Sequence, residues 1–193
     1  MGYYKFISKE QKNYDNDHLD PSTEFQLFYD SISDRLNQEK LVGCEIGVLY
    51  ADTSCFFLRN FTNLHLIGID PIIPDSMESS LIGNLEKIKS NTKEFENRFQ
   101  FIQDYSFNIS FEENYFDFIF IDGDHNYQAV KSDYEQYVKY LKQGGLIFFH
   151  DSRMNRGGAN FHIGSSKFVD ELISLNHLEL IGEAFSLTCF IKN

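Results

Sequence analysis

Five acidic or imidazole residues directly follow two short apolar runs in the middle of the chain: Asp122, Asp124, His125, His150 and Asp151. Carboxylates and imidazoles are the side chains that most often move protons in catalysis and bind divalent metal ions. Polar residues at the ends of apolar strands often do no more than cap loops. Five of them behind two neighbouring strands favour a functional site instead, if the fold brings the two strand ends together.

The segment that contains these residues has the pattern of a strand, a helix and a second strand. Residues 118–121 and 146–149 are continuous apolar runs, typical of strands in a parallel sheet that is covered on both faces. Apolar residues recur between the runs at helical spacing, and Gly144 follows as a C-terminal stop. The carboxyl ends of both strands of such a unit lie at the same edge of the sheet, where open α/β folds bind ligands. We therefore expect the five side chains to converge.

The rest of the chain predicts further units of the same kind. The predicted strands are 41–47, 64–69, 99–102, 118–121, 146–149, 178–181 and 187–191. Helices are predicted from Asp20-Pro21 with Asp20 as N-cap, over 53–61, from Asp75 through Ile88, between the two central strands, and over 165–175. The last two strands are separated by too few residues for a crossover, so they pair antiparallel. This order predicts a doubly wound, mostly parallel, Rossmann-like α/β sheet with helices on both faces and a C-terminal antiparallel hairpin.

Length and composition predict one main domain and limit its partners. The 193 residues divide into an N-terminal polar segment and helix, residues 1–37, and a single domain, residues 38–193. Acidic residues outnumber basic residues 29 to 17, for a net charge of −12, which disfavours nucleic acid or an anionic membrane as the main partner. No apolar run approaches the ~20 residues of a membrane span, and the three cysteines lack metal-finger spacing. We expect a cytoplasmic protein that acts on a small molecule, and the sequence leaves homo-oligomer formation open.

The first strand-to-helix turn and the ends of the next two strands carry candidate ligand-binding residues. Of the glycines that a dinucleotide fingerprint requires after the first strand, only Gly47 is present, and a phosphate-binding P-loop is excluded. Asp70 ends the second strand, where an acid often binds a ribose diol; the alternative is a loop cap before Pro71. Asp104 and Ser106 follow the third strand, where they either reach an adenine amino group or cap the loop.

Together these positions resemble the class I S-adenosylmethionine-dependent methyltransferases, in particular a small subgroup of macrolide-sugar and cephalosporin-biosynthesis O-methyltransferase-like proteins. The resemblance covers roughly residues 38–175. It rests on Glu45-Ile46-Gly47 (E-x-G), Asp70 (ribose acid), Gln103-Asp104-Tyr105-Ser106 (D-x-S), Ile121–Tyr127 (I-D-G-x-H-x-Y), and Gly144-Gly145-Leu146 to His150-Asp151. Ala51 and Asp52 stand where relatives often carry two glycines.

The resemblance implies S-adenosylmethionine as cofactor, bound by Glu45, Gly47, Asp70, Asp104, Ser106 and Asp122. It also implies a divalent metal ion held by Asp122, His150 and Asp151, where relatives use an acidic pair at the end of the fifth strand. Mg²⁺ prefers oxygen ligands, whereas Mn²⁺ and Fe²⁺ accept an imidazole nitrogen, so all three ions remain candidates. The alternative for His150 is a side chain that points into the core.

These expectations combine into metal-assisted O-methylation of a small-molecule hydroxyl, on a sugar or a natural product. The metal ion would bind the acceptor hydroxyl, lower its pKa and orient it. Asp122 or His125 is the candidate base, since the ordinary pKa of histidine, near ~6.5, suits that role. Two alternatives remain: an NAD-type Rossmann oxidoreductase, disfavoured by the missing glycines, and a non-catalytic methyltransferase-like binding module. The glycine-rich loop 152–166, with Arg153 and Arg156, either covers the substrate or is solvated.

Overall fold

A computed structural model of the protein describes residues 22–33, 38–153 and 163–193. The strands are β1 (Leu41–Ile46), β2 (Leu64–Ile69), β3 (Phe99–Ile102), β4 (Phe116–Ile121), β5 (Leu141–Phe149), β6 (Glu179–Ala184) and β7 (Leu187–Ile191). The α-helices are α1 (Ser22–Ser33), α2 (Asp52–Asn60), α3 (Leu85–Thr92), α4 (Tyr127–Tyr137) and α5 (Ile163–Leu175). Short 3₁₀ turns cover Lys93–Phe95 and Ser106–Asn108.

The strands form one seven-stranded sheet in the order β3-β2-β1-β4-β5-β7-β6. The pairs from β3 to β5 are parallel, and β7 pairs antiparallel with both β5 and β6. This arrangement confirms the predicted mostly parallel α/β sheet and its C-terminal hairpin. The chain leaves β1 in one direction and returns to β4 on the other side, so the strand order reverses between them. Open α/β sheets bind ligands at such a reversal, outside the carboxyl ends of the strands.

Alternating residues of the central strands build a core on each face of the sheet. On β4, Phe118 and Phe120 pack with residues of α1 and α2, and Ile119 and Ile121 pack with residues of α4 and α5. Successive side chains of a strand point to opposite faces, so a continuous apolar run is the sequence signature of a strand covered on both. Aromatic side chains are abundant in both cores. In the first core, the ring centroids of Phe28 and Phe120 lie 5.1 Å apart, edge to face.

The helix predicted from Asp75 is wrong in its position, because α3 begins at Leu85 with Asn84 as N-cap. Residues 71–84 instead form an irregular segment across the carboxyl edge of the sheet. The Asp75 carboxylate accepts hydrogen bonds from the backbone of Met77 and Glu78, both at 2.7 Å. Such a local side-chain turn competes with helix formation, and the apolar spacing that suggested a helix leaves Met77 44% exposed.

The N-terminal helix packs on the sheet, with Phe28 and Ile32 buried in the core that α2 shares. The Asp20-Pro21 start that was predicted for it lies outside the described residues, as does Arg156. The division into residues 1–37 and 38–193 stays a prediction. Within the described ranges, no helix is both long and apolar enough to cross a membrane.

Candidate active site

A cavity of about 650 Å³ opens at the carboxyl edge of the sheet, around the reversal of strand order. The predicted site residues that line it are Glu45, Gly47, Asp70, Ser106, Asp122, Asp124, His125, His150 and Asp151. The strand register explains why they meet, because backbone bonds continue one residue beyond the strands: Asp122 donates to Ile46, and His150 donates to Ile121. Asp104 does not line the cavity; its carboxylate accepts from the backbone of Tyr105 and the side chain of Asn108, both at 2.7 Å.

Gly47 is where β1 passes closest to the end of β4. A Cβ atom at this position would lie 2.0 Å from the carbonyl oxygen of Asp122, and the residue has a φ of +86°. Only glycine satisfies both conditions. The turn then continues with Leu49 at φ 52° and Ala51 at φ 65°, left-handed conformations that are uncommon for residues with a side chain. Ala51, at the position where the resemblance would place a glycine, thus adopts a backbone conformation that glycine favours.

Asp70 holds this turn from the end of β2. Its Oδ2 accepts hydrogen bonds from the backbone N–H groups of Val48 and Leu49, both at 2.9 Å, and its Oδ1 accepts one from Ile72 at 2.6 Å. These are the contacts of a loop cap. A carboxylate oxygen accepts more than one hydrogen bond, so they are compatible with a ribose hydroxyl at Oδ1.

Glu45 forms the buried floor of the cavity. Its side chain accepts a hydrogen bond from the Ser54 hydroxyl, and only 1% of the residue is exposed. Burial raises the pKa of Glu45 well above its ordinary value, and the neighbouring carboxylates of Asp122 and Asp70 raise it further, although Ser54 lowers it. The arrangement favours the neutral acid, which can donate as well as accept a hydrogen bond.

His125 lies between two carboxylates on the other side of the cavity. Its Nδ1 is 3.0 Å from Oδ2 of Asp75 and its Nε2 is 3.1 Å from Oδ2 of Asp151. Burial alone would lower the pKa of His125, but Asp151, Asp122 and Asp75 raise it to about 9. The expected ordinary pKa is therefore not found. The imidazole carries a proton at neutral pH and can act as a base only where these acids are neutralised or engaged elsewhere.

His150 faces the cavity and not the core, so the alternative of a core-pointing side chain is wrong. Its Nδ1 is 3.0 Å from Oδ1 of Asp122 and 3.3 Å from Oδ2 of Asp151. Its Nε2 is 3.3 Å from Oε2 of Glu24, a residue of α1. Burial lowers the pKa of His150, but Asp122, Asp151 and Glu24 together raise it well above the ordinary value.

The acids and imidazoles therefore form one connected cluster, which we call the imidazole–carboxylate cluster: Glu24, Asp75, Asp122, His125, His150 and Asp151. One ligand atom each from Asp122, His125 and Asp151 lie within 4.8 Å of one another. Carboxylate oxygens and imidazole nitrogens are a donor set that fits a divalent cation able to accept nitrogen. The predicted ligand set had His150 as its only nitrogen. In the structure His125 belongs to the group of close ligand atoms, and His150 contacts both acids of that group through Nδ1.

The sequence analysis did not assign three residues to the site: Glu24, Asp75 and Asp133. Asp133 lines the cavity from α4, is 8% exposed and accepts a hydrogen bond from the Ser106 hydroxyl. Burial raises the pKa of Asp133 to about 6, an effect that Ser106 opposes and Asp124 adds to. A signal for it existed, because Asp133 lies at helical spacing from the buried Val130 and Tyr137. An acid on the apolar face of a helix needs a partner.

Arg153, which begins the glycine-rich loop, is tied to acids of the protein. It donates to Asp170 on α5 at 2.9 Å and to Glu183 on β6. Its side chain is only 12% exposed, so the solvated alternative is wrong for Arg153. That the loop covers the substrate stays a prediction, because residues 154–162 lie outside the described ranges.

Comparison with known proteins identifies a family. A family model described as "Methyltransferase domain" matches residues 44–152, a range that includes both the Gly47 turn and the Asp151 strand end. An uncharacterized protein of Acanthamoeba polyphaga mimivirus, R132, is 31% identical over 131 residues, which are 63% of this chain and 56% of that protein. The chain thus spans little more than half the length of this curated relative.

Solved structures of methyltransferases share the fold. The SAH-bound Podospora anserina methyltransferase PaMTH1 superposes with a TM-score of 0.62 at 14% identity, over 95% of this chain and 83% of that one. The O-methyltransferase TomG of Streptomyces achromogenes, involved in tomaymycin synthesis and solved in complex with SAM, gives a TM-score of 0.60 at 14% identity. That match covers 92% of this chain and 83% of TomG.

Proposed function

We propose that this chain, which belongs to the methyltransferase-domain family, transfers the methyl group of S-adenosylmethionine to a hydroxyl of a small molecule. The resemblance to class I S-adenosylmethionine-dependent methyltransferases is confirmed in family and in fold. The narrower subgroup, the choice of oxygen as acceptor and a sugar or natural product as substrate are proposals. In the transfer, the bond from the methyl carbon to sulfur breaks, a carbon–oxygen bond forms, S-adenosylhomocysteine leaves, and the hydroxyl proton passes to a base.

One observation carries the proposal: the residues suited to the methyl donor and those suited to the acceptor line the same cavity. Gly47 and Asp70 lie on its donor side, and His125 and Asp151 lie on its acceptor side. Asp122 belongs to both, since its carbonyl lies against Gly47 while its carboxylate contacts His150. Methyl transfer requires the two substrates to be held in line and close together, and a shared cavity meets that requirement.

On the donor side, the protein supplies hydrogen-bonding groups and an apolar wall. Asp70 and Ser106 would bind the ribose and the adenine side of the cofactor. Asp70 also accepts hydrogen bonds from the backbone of the Gly47 turn, which would preorganise that turn for the cofactor. Asp104 accepts hydrogen bonds from its own turn and does not line the cavity, so the proposed binding set does not include it.

On the acceptor side, Asp122 and Asp151 would bind the acceptor hydroxyls. Asp122 would take the proton, or His125 would take it where no cation occupies its Nε2. A divalent cation bound by this cluster would supply a lowered hydroxyl pKa. The acids orient the imidazoles in fixed directions, so a hydroxyl that enters meets preformed partners. Preformed partners reduce the reorganisation needed during reaction.

Calorimetric titration of the full chain with S-adenosylhomocysteine and with NAD tests the proposal. We expect S-adenosylhomocysteine to bind and NAD not to bind. Asp70→Ala should weaken binding by roughly 1–3 kcal/mol, the loss expected when hydrogen bonds to a charged group disappear. Asp104→Ala is the matched control at the next strand end and should leave the affinity unchanged. Tight NAD binding without a response to S-adenosylhomocysteine would overturn the proposal.

Turnover is measured separately, as S-adenosylhomocysteine released with sugars and hydroxylated natural products as acceptors. Release that depends on an acceptor hydroxyl supports O-methylation. Binding of the cofactor without turnover on any acceptor would favour the non-catalytic binding module instead.

A further inference from the structure

Each histidine of the imidazole–carboxylate cluster has an outer acid on one ring nitrogen and an inner acid on the other. We propose that the cluster is a single cation site with two nitrogen and two oxygen ligands, from His125, His150, Asp122 and Asp151. The site would select cations that accept nitrogen over Mg²⁺, and Asp75 and Glu24 would be its positioning residues. This inference rests on the proposed function for the place of the site, and it names the ligands and the class of ion.

The Asp75 carboxylate fixes His125 through two contacts. Its Oδ2 accepts from the His125 backbone N–H and lies beside ring Nδ1, both at 3.0 Å. Its Oδ1 is held by the backbone N–H groups of Met77 and Glu78. The carboxylate therefore has little freedom, and it directs His125 Nε2 towards Asp151. Metal-binding histidines commonly have such a carboxylate on the nitrogen that does not bind the metal.

Glu24 repeats the arrangement at His150. Its Oε1 accepts from the backbone N–H of Ser186 at 2.8 Å and from the Ser186 hydroxyl. Its Oε2 lies 3.3 Å from His150 Nε2, which leaves Nδ1 directed at Asp122 and Asp151. The two outer acids come from different parts of the chain, α1 and the segment 71–84, and each contacts a different histidine.

The two inner nitrogens meet at one atom, Oδ2 of Asp151, with His125 Nε2 at 3.1 Å and His150 Nδ1 at 3.3 Å. The cluster has four carboxylates and two imidazoles, so it keeps an excess of negative charge even with both histidines protonated. Its side chains are between 6% and 27% exposed, which limits screening by water. A cation in place of the imidazole protons would offset this excess of negative charge.

The ligand types decide which cation fits. Mg²⁺ takes oxygen ligands in a near-ideal octahedron and keeps much of its water, whereas Mn²⁺, Fe²⁺ and Zn²⁺ accept imidazole nitrogen. Two nitrogens that converge with two carboxylates therefore favour the second group.

The test uses the full chain, freed of metal with a chelator, and titrates it with Mn²⁺ and with Mg²⁺. We expect Mn²⁺ to bind at least about tenfold tighter than Mg²⁺. Electron spin echo modulation of bound Mn²⁺ should show coupling to ¹⁴N nuclei. His125→Asn and His150→Asn should each weaken that coupling and narrow the Mn²⁺/Mg²⁺ preference, because each removes one nitrogen ligand.

The positioning role is tested with Asp75→Asn and Glu24→Gln. Each should weaken Mn²⁺ binding about 10–100-fold, because the carboxylate that orients a metal-binding imidazole is lost. The matched control is Ser76→Ala. Ser76 lies beside Asp75 and donates to Asp124 at 2.6 Å, a bond of the same segment that touches no imidazole. This variant should bind Mn²⁺ as the unaltered protein does.

Mn²⁺ binding without nitrogen coupling would overturn the inference in favour of an oxygen-only site. An Mn²⁺/Mg²⁺ preference that is the same in both histidine variants as in the unaltered protein would do so too. Failure of every cation to bind would overturn it as well. Titration of the same samples with S-adenosylhomocysteine separates the two claims, because the proposed function stands if that ligand binds. Circular dichroism identifies a variant that does not fold, and the Mn²⁺ spectrum of the unaltered protein still decides the ligands.

Discussion

The donor side and the acceptor side of the cavity are stabilised by different kinds of contact. On the donor side, backbone groups carry the geometry: Gly47 allows two strand ends to touch, and Asp70 caps the N–H groups of Val48 and Leu49. On the acceptor side, side chains hold one another, as in the contacts of Asp151 with His125 and His150. The backbone contacts of the Gly47 turn should therefore tolerate changes of pH and ions but no change of backbone shape. The acceptor side should respond to charge.

Gly47→Ala is the strongest test of the donor side. The added Cβ would clash with backbone, at 2.0 Å from the Asp122 carbonyl oxygen, and the φ of +86° strains any other residue. The clash and the strain both involve the backbone, so a side-chain movement relieves neither of them. We expect the free energy of unfolding to fall by at least about 2 kcal/mol and S-adenosylhomocysteine binding to be lost. Urea unfolding and calorimetry measure the two effects.

Gly144→Ala is the matched control, because Gly144 has a similar φ of +70° and nothing lies within 4 Å of its would-be Cβ. It should cost only about 1 kcal/mol, the effect of strain alone. Equal losses in the two variants would show that the close approach at Gly47 is unimportant.

Asp133→Asn tests whether a buried acid on the donor side destabilises the folded protein. The folded pKa of about 6 lies above the ordinary value of 3.8, so the folded state binds the proton more tightly than the unfolded state. The contribution of Asp133 to stability therefore falls as pH rises from about 4 to about 6, by up to about 3 kcal/mol. The variant should be more stable than the unaltered protein at pH 7.5.

That advantage should shrink by about 1 kcal/mol at pH 5.5, where part of the unaltered protein is protonated at Asp133. Urea unfolding at the two pH values measures it. An advantage that is constant with pH, or absent, would mean that Asp133 is stabilised as a carboxylate by its surroundings.

The convergence of the two strand ends could be predicted from the sequence, but the cluster around them could not. Asp122 and His150 follow apolar runs, and parallel pairing of β4 and β5 must bring them to one edge. Asp75 and Glu24 make their contacts with histidines 50 and 126 positions away. No local pattern marks such pairs, because they depend on how α1 and the segment 71–84 pack on the finished sheet.

The misplaced helix has the same cause. Met77 and Leu81 have helical spacing, but the Asp75 carboxylate binds the backbone N–H groups of its own turn and the imidazole of His125 at once. Local and tertiary contacts of one residue together thus override the periodic pattern of the segment. The sequence shows Asp75 only as an acid after Pro74.

Asp151→Asn tests the acceptor side by removing one charge. Asn accepts the left-handed φ of 49° found at this residue, so the backbone is not strained by the change. From repulsion among the acids alone one would expect a gain in stability. Because both imidazoles bond to Asp151, we expect a loss of roughly 1–3 kcal/mol in unfolding free energy at pH 7 in the presence of a chelator. A gain would show that like-charge repulsion exceeds the ion pairs.

The smallest expected effect joins the two sides. Asp75→Asn removes a charge from the acceptor side. Asp75 lies in the segment 71–84, which begins directly after Asp70 on the donor side. If the two sides are energetically separate, the variant should change S-adenosylhomocysteine affinity by less than about 0.5 kcal/mol, and its effect should add to that of Asp70→Ala. Calorimetric titration of both single variants and the double variant measures the coupling. Coupling well above that value would mean that the segment 71–84 links the contacts of His125 to cofactor binding. The donor side and the acceptor side would then not be energetically separate at this segment.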